Sequence, residues 1–196
     1  MNDIFIIENF INDDELEEAR QFTGNESLNL DGKYYGENQV SINRQWFFLP
    51  DDNAYKKILL DLRPNRMWVF DMENIIPSAK NFILKIKNRL DRYTKTNFKI
   101  ERVYLNRQVL GQDVPLHTDD DRPNVYTLLI YVGDITPENY DKVGGDLELK
   151  TKEITRIEPF TKRAVLFKGN IPHQAYAPLL PNIIRISFAF KLVDTS

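Results

Sequence analysis

The chain has 196 residues, of which 42% are hydrophobic and 28% charged, with a formal net charge of −3 and no cysteine. This composition is typical of one folded domain, here residues 1–196, and argues against a disordered chain. The absence of cysteine excludes disulfides and metal sites built on thiolates. The negative charge provides no overall attraction to nucleic acid. Because the N-terminus lacks a signal-peptide pattern and no segment is long enough to span a membrane, we expect a cytoplasmic protein without membrane contact.

The first half of the chain predicts a helical support with outer strands. Asn12 or Asp13 can cap an acidic helix that ends near residue 22. The clearest helix is predicted over residues 77–93, where apolar side chains recur at helical spacing: Phe82, Ile83, Ile86 and Leu90. This one-sided pattern favours packing against a sheet. Strands are predicted at 4–10 and 40–49, with a short apolar run at 67–70.

From residue 98 the pattern changes to short strands separated by loops that contain Gly, Pro, Asn and Asp. Many short strands without helices between them are typical of an antiparallel sandwich or a small barrel. We therefore predict a mostly β domain in which residues 1–97 support a β core of residues 98–196. The core strands are predicted at 98–105, 126–132, 146–149, 154–157, 164–167 and 183–192.

The chain contains two histidines, and their surroundings suggest a metal site. His117 and Asp119 are separated by one residue, and side chains two apart on a strand face the same side. They could hold one ion together, and His173 is the only other histidine that could complete the site. Two imidazoles and a carboxylate suit Fe(II), Mn(II) or Zn(II). The spacing favours Asp119 as the carboxylate, and we expect Asp120 and Asp121 to face solvent or a substrate loop.

Several further segments follow one another in a characteristic order. Gly111 precedes His117 by six residues, and Arg185-Ile186-Ser187 is the last of these segments. Between them lie Val-Gly-Gly-Asp-Leu-Glu-Leu at 143–149 and an apolar segment at 157–167 that leads towards His173. The apolar run at 5–11, followed by an acidic helix, is a typical opening. Together these segments resemble the Fe(II)/2-oxoglutarate-dependent dioxygenases, in particular the prolyl 4-hydroxylase-like branch, and the resemblance covers most of the chain.

The resemblance implies a double-stranded β-helix core of the jelly-roll or cupin-like kind, with iron held by His117, Asp119 and His173. It also implies 2-oxoglutarate as cosubstrate, with its distal carboxylate on Arg185, because a guanidinium can pair with a carboxylate through two hydrogen bonds. Dioxygen would be the oxidant, and ascorbate is a candidate auxiliary reductant. The implied reaction is hydroxylation of an unactivated C–H bond with release of succinate and CO₂.

Further cosubstrate contacts follow from the same resemblance. Tyr131 stands where family members often place a hydroxyl on the distal carboxylate, and Thr127 shares its strand face. Ser187 lies two residues after the arginine and faces the same side. Asn106 and Gln108 precede Gly111 at strand spacing, where related enzymes place polar cosubstrate ligands, although Gln108 replaces the more usual Tyr.

The resemblance favours a peptide or protein substrate, with proline in an extended segment as the first candidate. A nucleobase-repair oxygenase is the second candidate, because the spacing from residue 106 to residue 119 is similar in that group. Nucleic acid is the less favoured partner, since the net charge is negative and no basic stripe is present. Hydroxylation of a small molecule stays open. Some aromatic residues could line a substrate groove, although a core position is favoured for them: Tyr34, Tyr35, Trp46, Phe47 and Trp68.

Two other classes of protein use similar residues. One is a non-catalytic, cupin-like barrel that binds zinc or a sugar, and the other is a hydrolase with a zinc-bound water. A buried Arg185 followed by Ser187 has no role in a purely structural metal site, which argues against the barrel. A hydrolase would normally place a Glu or His base close to the metal, and no motif clearly provides one. Dependence on 2-oxoglutarate distinguishes the oxygenase from both alternatives.

Overall fold

The structure, a computed structural model, describes residues 3–23 and 79–196, together with the backbone of residues 68–71. The strand predicted at 40–49 and the aromatic residues Tyr34, Tyr35, Trp46 and Phe47 lie outside these residues, as does the side chain of Trp68. The described part contains three helices: α1 (Asp13–Gln21), α2 (Lys80–Thr94) and the one-turn α3 (Tyr140–Val143). Its strands are β1 (Ile4–Ile7), β2 (Trp68–Asp71), β3 (Phe98–Gln108), β4 (Val114–His117), β5 (Val125–Tyr131), β6 (Leu147–Lys150), β7 (Ile154–Ile157), β8 (Ala164–Lys168), β9 (His173–Ala175) and β10 (Arg185–Asp194).

The strands form two antiparallel sheets. The larger sheet has the order β1-β8-β5-β10-β3-β2, and the smaller sheet has the order β4-β9-β6-β7. Consecutive core strands alternate between the two sheets at several points, as in a jelly roll. This arrangement confirms the predicted mostly β, double-stranded β-helix fold with helical support. None of the helices in the described ranges is long and apolar enough to cross a membrane.

The central strand β5 of the larger sheet is buried on both faces, which explains why nearly all of its residues are apolar. Leu128 and Ile130 point towards the helices and join the larger hydrophobic cluster. Leu129 and Tyr131 point towards the smaller sheet and join a second cluster between the sheets. Side chains alternate along a strand, so each residue of β5 is assigned to one of these two faces. The face directed at the smaller sheet contains the candidate site.

The two longer helices cover the outer face of the larger sheet. Asn12 caps α1 in a capping box with Glu15, as the sequence indicates. The carboxylate of Glu15 also accepts two hydrogen bonds of 2.5 and 2.6 Å from Arg89 of α2. The apolar stripe of α2 is fully buried against the sheet, in agreement with the predicted spacing. The helices therefore stiffen the sheet from outside and leave its inner face free for a site.

Several predicted boundaries are wrong, for local reasons. The first strand ends at Ile7 rather than at residue 10, because Asn9 adopts a positive φ of 49° that breaks the extended backbone. Strand β3 continues to Gln108, three residues beyond the predicted end. Strands β4 and β9 were not predicted as separate strands, since both are short and lack an alternating apolar pattern. The helix α3 was not predicted either, and it consists of a single turn.

Candidate active site

Polar and apolar side chains form cross-strand rows on the inner face of the larger sheet. Ser187 of β10 lies opposite Tyr131 of β5 on one side and opposite Asn106 of β3 on the other. The adjacent rows are Leu129, Ala189 and Tyr104, and then Thr127, Lys191 and Arg102. Neighbouring rows are about 7 Å apart along the strands. Residues far apart in the sequence therefore line one cavity between the sheets.

The two histidines are direct neighbours across the pair β4–β9, in which His117 lies opposite His173. Each ring uses Nδ1 to donate to the backbone carbonyl two residues earlier: His117 to Pro115 at 2.8 Å, and His173 to Ile171 at 2.9 Å. A carbonyl oxygen only accepts hydrogen bonds, so in both neutral rings the proton lies on Nδ1. The lone pair of each Nε2 is consequently available to a metal ion.

Asp119 completes a cluster whose ligand atoms lie within 4.8 Å of one another. Its carboxylate is 3.6 Å from Nε2 of His117 and 3.6 Å from Nε2 of His173. The predicted reason for its position is wrong, since β4 ends at His117 and Asp119 lies in the bend that follows. Instead, the backbone amides of Asp119 and Asp120 both donate to the carbonyl of Gly169, which fixes the bend against the loop that follows β8.

The cluster's protonation states depend on competing effects of burial and charge. Burial alone would raise the pKa of Asp119, but hydrogen bonding to His117 and the nearby His173 hold it below its usual range. Hydrogen bonding to Asp119 raises the pKa of His117, whereas burial lowers the pKa of His173. An ionised carboxylate and two imidazoles that can be neutral are the ligand forms that divalent metals require. The lowered pKa of Asp119 favours its charged form and the lowered pKa of His173 favours its neutral form, whereas His117 holds a proton more strongly than usual and would release it on binding a metal ion.

Thr127 supports the cluster rather than the far end of the cavity. Its hydroxyl donates a 2.5 Å hydrogen bond to Oδ2 of Asp119. The sequence-based expectation was a contact with the cosubstrate, on the same strand face as Tyr131. The two do share that face, but Thr127 lies two rows closer to the cluster. The geometry therefore gives Thr127 the task of orienting a candidate metal ligand.

Arg185 lies at the buried end of the same cavity, with only 2% of its surface exposed. Its Nε donates to the carbonyl of Gly145 at 2.8 Å, and its two terminal nitrogens donate to Gln108 at 2.5 Å and Tyr131 at 3.3 Å. Within the described ranges it forms no ion pair with a carboxylate. Gly145 has a φ of +98°, which favours glycine, so the Gly-Gly motif gives the turn that exposes this carbonyl. A buried guanidinium without an anion is a strong candidate binding site for one.

Gln108 positions Arg185, and its amide is fully used by the protein. Its carbonyl oxygen accepts from Arg185, and its nitrogen donates to the carbonyls of Gln112 at 3.0 Å and Ala175 at 3.2 Å. The predicted direct contact with a cosubstrate would have to displace one of these bonds. The structure instead favours an indirect role, in which the side chain connects β3, β9 and the arginine.

Three other predicted residues surround the arginine. Ser187 is completely buried, and its hydroxyl has no hydrogen-bond partner among the described residues. The ring of Tyr131 stacks against Arg185, with the guanidinium carbon 5.0 Å from the ring centroid, and burial raises the pKa of its hydroxyl. Asn106 lines the cavity, and its amide makes no hydrogen bond to the described residues. The hydroxyl of Ser187 and the amide of Asn106 are thus available to a ligand in the cavity.

The cavity has a volume of about 250 Å³. At one end, 39% of the side-chain surface of His117 and 29% of that of Asp119 is exposed. At the other end Arg185 is buried. Several residues that line the cavity were not predicted as site residues: Arg102, Tyr104, Lys191, Leu147 and Phe167. The alternating inward pattern of β3 and β10, continued along both strands, could have identified Arg102, Tyr104 and Lys191.

Asp120 lies beside the cluster but does not join it. Its carboxylate accepts from Arg122 at 2.9 Å and from Lys191 at 2.5 Å, and these cations hold its pKa far below the usual range. Only 13% of its side chain is exposed, so of the two expected surroundings, solvent or a substrate loop, solvent does not apply. Asp121 is exposed, as predicted. The structure brings Asp119 into the candidate cluster, as predicted, although strand spacing is not the reason for its position.

No protein-family model matches the chain, and a comparison with curated proteins finds no match. Solved structures do resemble it. A prolyl hydroxylase from Trichoplax adhaerens, in complex with a hypoxia inducible factor oxygen degradation domain peptide fragment, is 17% identical with a TM-score of 0.63, over 99% of this chain and 84% of that chain. A 2OG-Fe(II) oxygenase family oxidoreductase from Burkholderia pseudomallei is 9% identical with a TM-score of 0.61, over 97% of this chain and 84% of that chain. EctD from S. alaskensis with bound Fe is 13% identical with a TM-score of 0.68, over 98% of this chain and 73% of that chain. The chain therefore has the double-stranded β-helix fold of the 2-oxoglutarate- and Fe(II)-dependent oxygenases.

Proposed function

We propose that the protein is an Fe(II)- and 2-oxoglutarate-dependent dioxygenase that hydroxylates an unactivated C–H bond. The observation that carries the proposal is one cavity with a His117–Asp119–His173 cluster at its exposed end and, at its buried end, the guanidinium of Arg185, which forms no ion pair with a described carboxylate. A 2-oxo dicarboxylic acid has one chelating end and one free carboxylate. Its two ends match the two ends of this cavity.

The three residues of the cluster fit a divalent iron ion. Two imidazole nitrogens and one carboxylate are the ligand set of the facial triad, which leaves positions open on the metal. The Nδ1 hydrogen bonds fix both imidazole rings, and Thr127 fixes the carboxylate. Bound iron would supply the redox chemistry with dioxygen that no side chain can perform. The protein's own residues hold the ligands in place and orient the bound molecules.

The buried end fits the distal carboxylate of 2-oxoglutarate. Arg185 would pair with it, and the hydroxyls of Ser187 and Tyr131 could donate to it. The orphaned hydroxyl of Ser187 supports this role, because a buried polar atom without a partner costs free energy until a ligand satisfies it. Leu129, Ala189 and Phe167 line the middle of the cavity and would exclude water from the carbon chain.

For the primary substrate we propose a peptide or protein, with proline as the first candidate residue. The prolyl hydroxylase from Trichoplax adhaerens, which was solved with a peptide fragment, supports this choice. The triad lies at the exposed end, so an extended chain could reach it from solvent. The position of the three residues of the cluster is equally compatible with small-molecule or nucleobase substrates.

An anaerobic titration with Fe(II) and 2-oxoglutarate tests the proposal. Chelation of a 2-oxo acid by Fe(II) should give a metal-to-ligand absorption band, and admission of oxygen should convert 2-oxoglutarate into succinate and CO₂. His117→Ala should abolish the band, since one of three ligands is lost. If the wild-type protein bound iron but gave neither band nor succinate, the oxygenase proposal would be wrong and the cupin-like barrel or the hydrolase would replace it.

A further inference from the structure

A β-bulge in β3 directs Arg102 into the cavity and leaves Glu101 beside it, in contact with Arg122. Opposite β10, the register shifts between Lys191 and Leu192, so Glu101 is the extra residue of β3. Before the bulge, Ile100 packs towards the helices. After it, Arg102 lines the cavity. Bulges redirect side chains in this way and are common beside functional sites. Arg102 therefore reaches the rim of the site, with Glu101 next to it.

Glu101 belongs to a chain of four alternating charges at this rim: Glu101, Arg122, Asp120 and Lys191. The guanidinium of Arg122 donates to Glu101 at 2.9 and 2.7 Å, and to Asp120 at 2.9 Å from each of two nitrogens. Asp120 also accepts from Lys191 at 2.5 Å. Two acids and two bases balance each other, so the network carries no net charge. None of its members offers a free charge to a ligand.

Arg102 lies beside this network but outside it. Its guanidinium carbon lies 4.4 Å from the centre of the Tyr104 ring, and both side chains line the cavity. In the part of the chain that the structure describes, Arg102 forms no ion pair. Contact with an aromatic face holds a guanidinium flat without neutralising it. Of the cations that line the cavity, Lys191 is paired and Arg185 is assigned to the cosubstrate. Arg102 is therefore the cation left for a second ligand.

We propose that Arg102, held on Tyr104, recognises a carboxylate on the primary substrate, namely an acidic side chain close to the hydroxylated residue of a peptide. The inference rests on the proposed oxygenase function and specifies its substrate class. A planar guanidinium matches a carboxylate with two parallel hydrogen bonds. A nucleic-acid strand is disfavoured, because its backbone needs several cations, Arg102 is one, and the net charge of the chain is −3.

The test uses the 196-residue chain loaded anaerobically with Fe(II) and 2-oxoglutarate, and three pools of fluorescent peptides. Each peptide has a central proline, and the pools carry Asp, Asn or Lys at the flanking positions. The Asp pool should bind roughly 10- to 100-fold more tightly than the Asn pool in fluorescence anisotropy. Arg102→Gln should remove this preference, and Arg102→Glu should shift it to the Lys pool. Lys99→Gln is the matched control, since Lys99 is an exposed cation on the same strand and its loss should leave the preference intact.

Three results would overturn the inference. One is equal binding of the Asp and Asn pools, or no binding of either, by the wild-type protein. Another is an Asp preference that persists in Arg102→Gln. The third is binding of a single-stranded oligonucleotide, lost in Arg102→Gln, in place of peptide binding. The cosubstrate absorption band is recorded in every sample, because its absence from the wild-type protein would refute the oxygenase proposal itself. A band without charge preference would refute only the role of Arg102.

Discussion

Replacing Arg185 by alanine should remove the selectivity of the protein for a dicarboxylic 2-oxo acid. A guanidinium has five N–H groups. Three of those of Arg185 are used by Gly145, Gln108 and Tyr131. The two that remain belong to the two terminal nitrogens, and two is the number that a bidentate carboxylate needs. These protein contacts fix the side chain before a ligand arrives, so little entropy is lost when the ligand binds.

The size of the effect follows from these two hydrogen bonds. Hydrogen bonds to charged groups contribute about 1.5–3 kcal/mol each, and part of this gain offsets desolvation of the ligand. We therefore expect a loss of about 3 kcal/mol, which corresponds to roughly a 100-fold increase in Kd. The loss should be confined to ligands with a distal carboxylate, because the chelating end of the ligand lies at the other end of the cavity.

The assay is a double-mutant cycle of residue and ligand. Wild type and Arg185→Ala are each titrated anaerobically with 2-oxoglutarate and with 2-oxopentanoate, which lacks the distal carboxylate, and the absorption band of the chelate is recorded. Wild type should strongly prefer 2-oxoglutarate, whereas Arg185→Ala should bind both acids equally weakly. The ratio of the two affinities within one variant is insensitive to the fraction of folded protein. An equal preference in both proteins would refute the assignment of the distal carboxylate to Arg185.

Other predictions concern the residues that support the site and the fold. Thr127→Val should weaken metal binding about 10- to 100-fold, because Asp119 loses its hydrogen bond. Competition with a chelator measures the affinity, and Thr127→Ser is the control that keeps the hydroxyl. An unchanged affinity in Thr127→Val would contradict this role. Gln108→Leu should weaken 2-oxoglutarate binding less than Arg185→Ala does, because Gln108 acts only by positioning the arginine. The double variant should therefore bind no worse than Arg185→Ala alone. Additive losses would instead indicate a direct contact between Gln108 and 2-oxoglutarate. Glu15→Gln should lower the free energy of unfolding by about 2–3 kcal/mol at pH 7 in urea titrations, since a buried carboxylate is removed from its arginine partner on α2. Burial opposes ionisation of Glu15, but hydrogen bonds from that arginine hold its pKa below the usual range. The contribution of Glu15 to the free energy of unfolding should therefore be present above about pH 4.5 and be lost as the pH falls through the lowered pKa. A difference between wild type and Glu15→Gln that is the same at pH 7 and pH 3 would contradict this linkage.

The fold could be predicted from the sequence where patterns are local. The spacing of Phe82, Ile86 and Leu90 indicated α2 and its buried face, and the sequence around Asn12 indicated the start of α1. The apolar runs of the larger sheet were detected because each strand is buried on at least one face. Residue types and order also indicated the metal cluster, since the chain has only two histidines and few ways to combine them.

The supporting contacts could not be predicted, because they depend on register between distant strands. Nothing local shows that Thr127 would reach Asp119, or that the amide of Gln108 would hold Arg185. The bulge at Glu101 is equally hidden, since it exists only relative to β10. A shift of one residue in that pairing would send every inner side chain of β3 to the helices. The roles of these residues therefore depend on how distant strands pair, and a local sequence motif does not reveal them.

Strand β9 explains how the two ends of the cavity can be held at a fixed separation. It has only three residues, yet β4 pairs with it on one side and β6 on the other. His173 begins the strand, and the carbonyl of Ala175 at its other end accepts from Gln108, which in turn accepts from Arg185. Four covalent and hydrogen-bonded steps thus join a candidate metal ligand to the candidate anion site. A ligand that must be chelated at one end and paired at the other requires such a rigid connection, because a small error in the spacing would forfeit one of the two interactions.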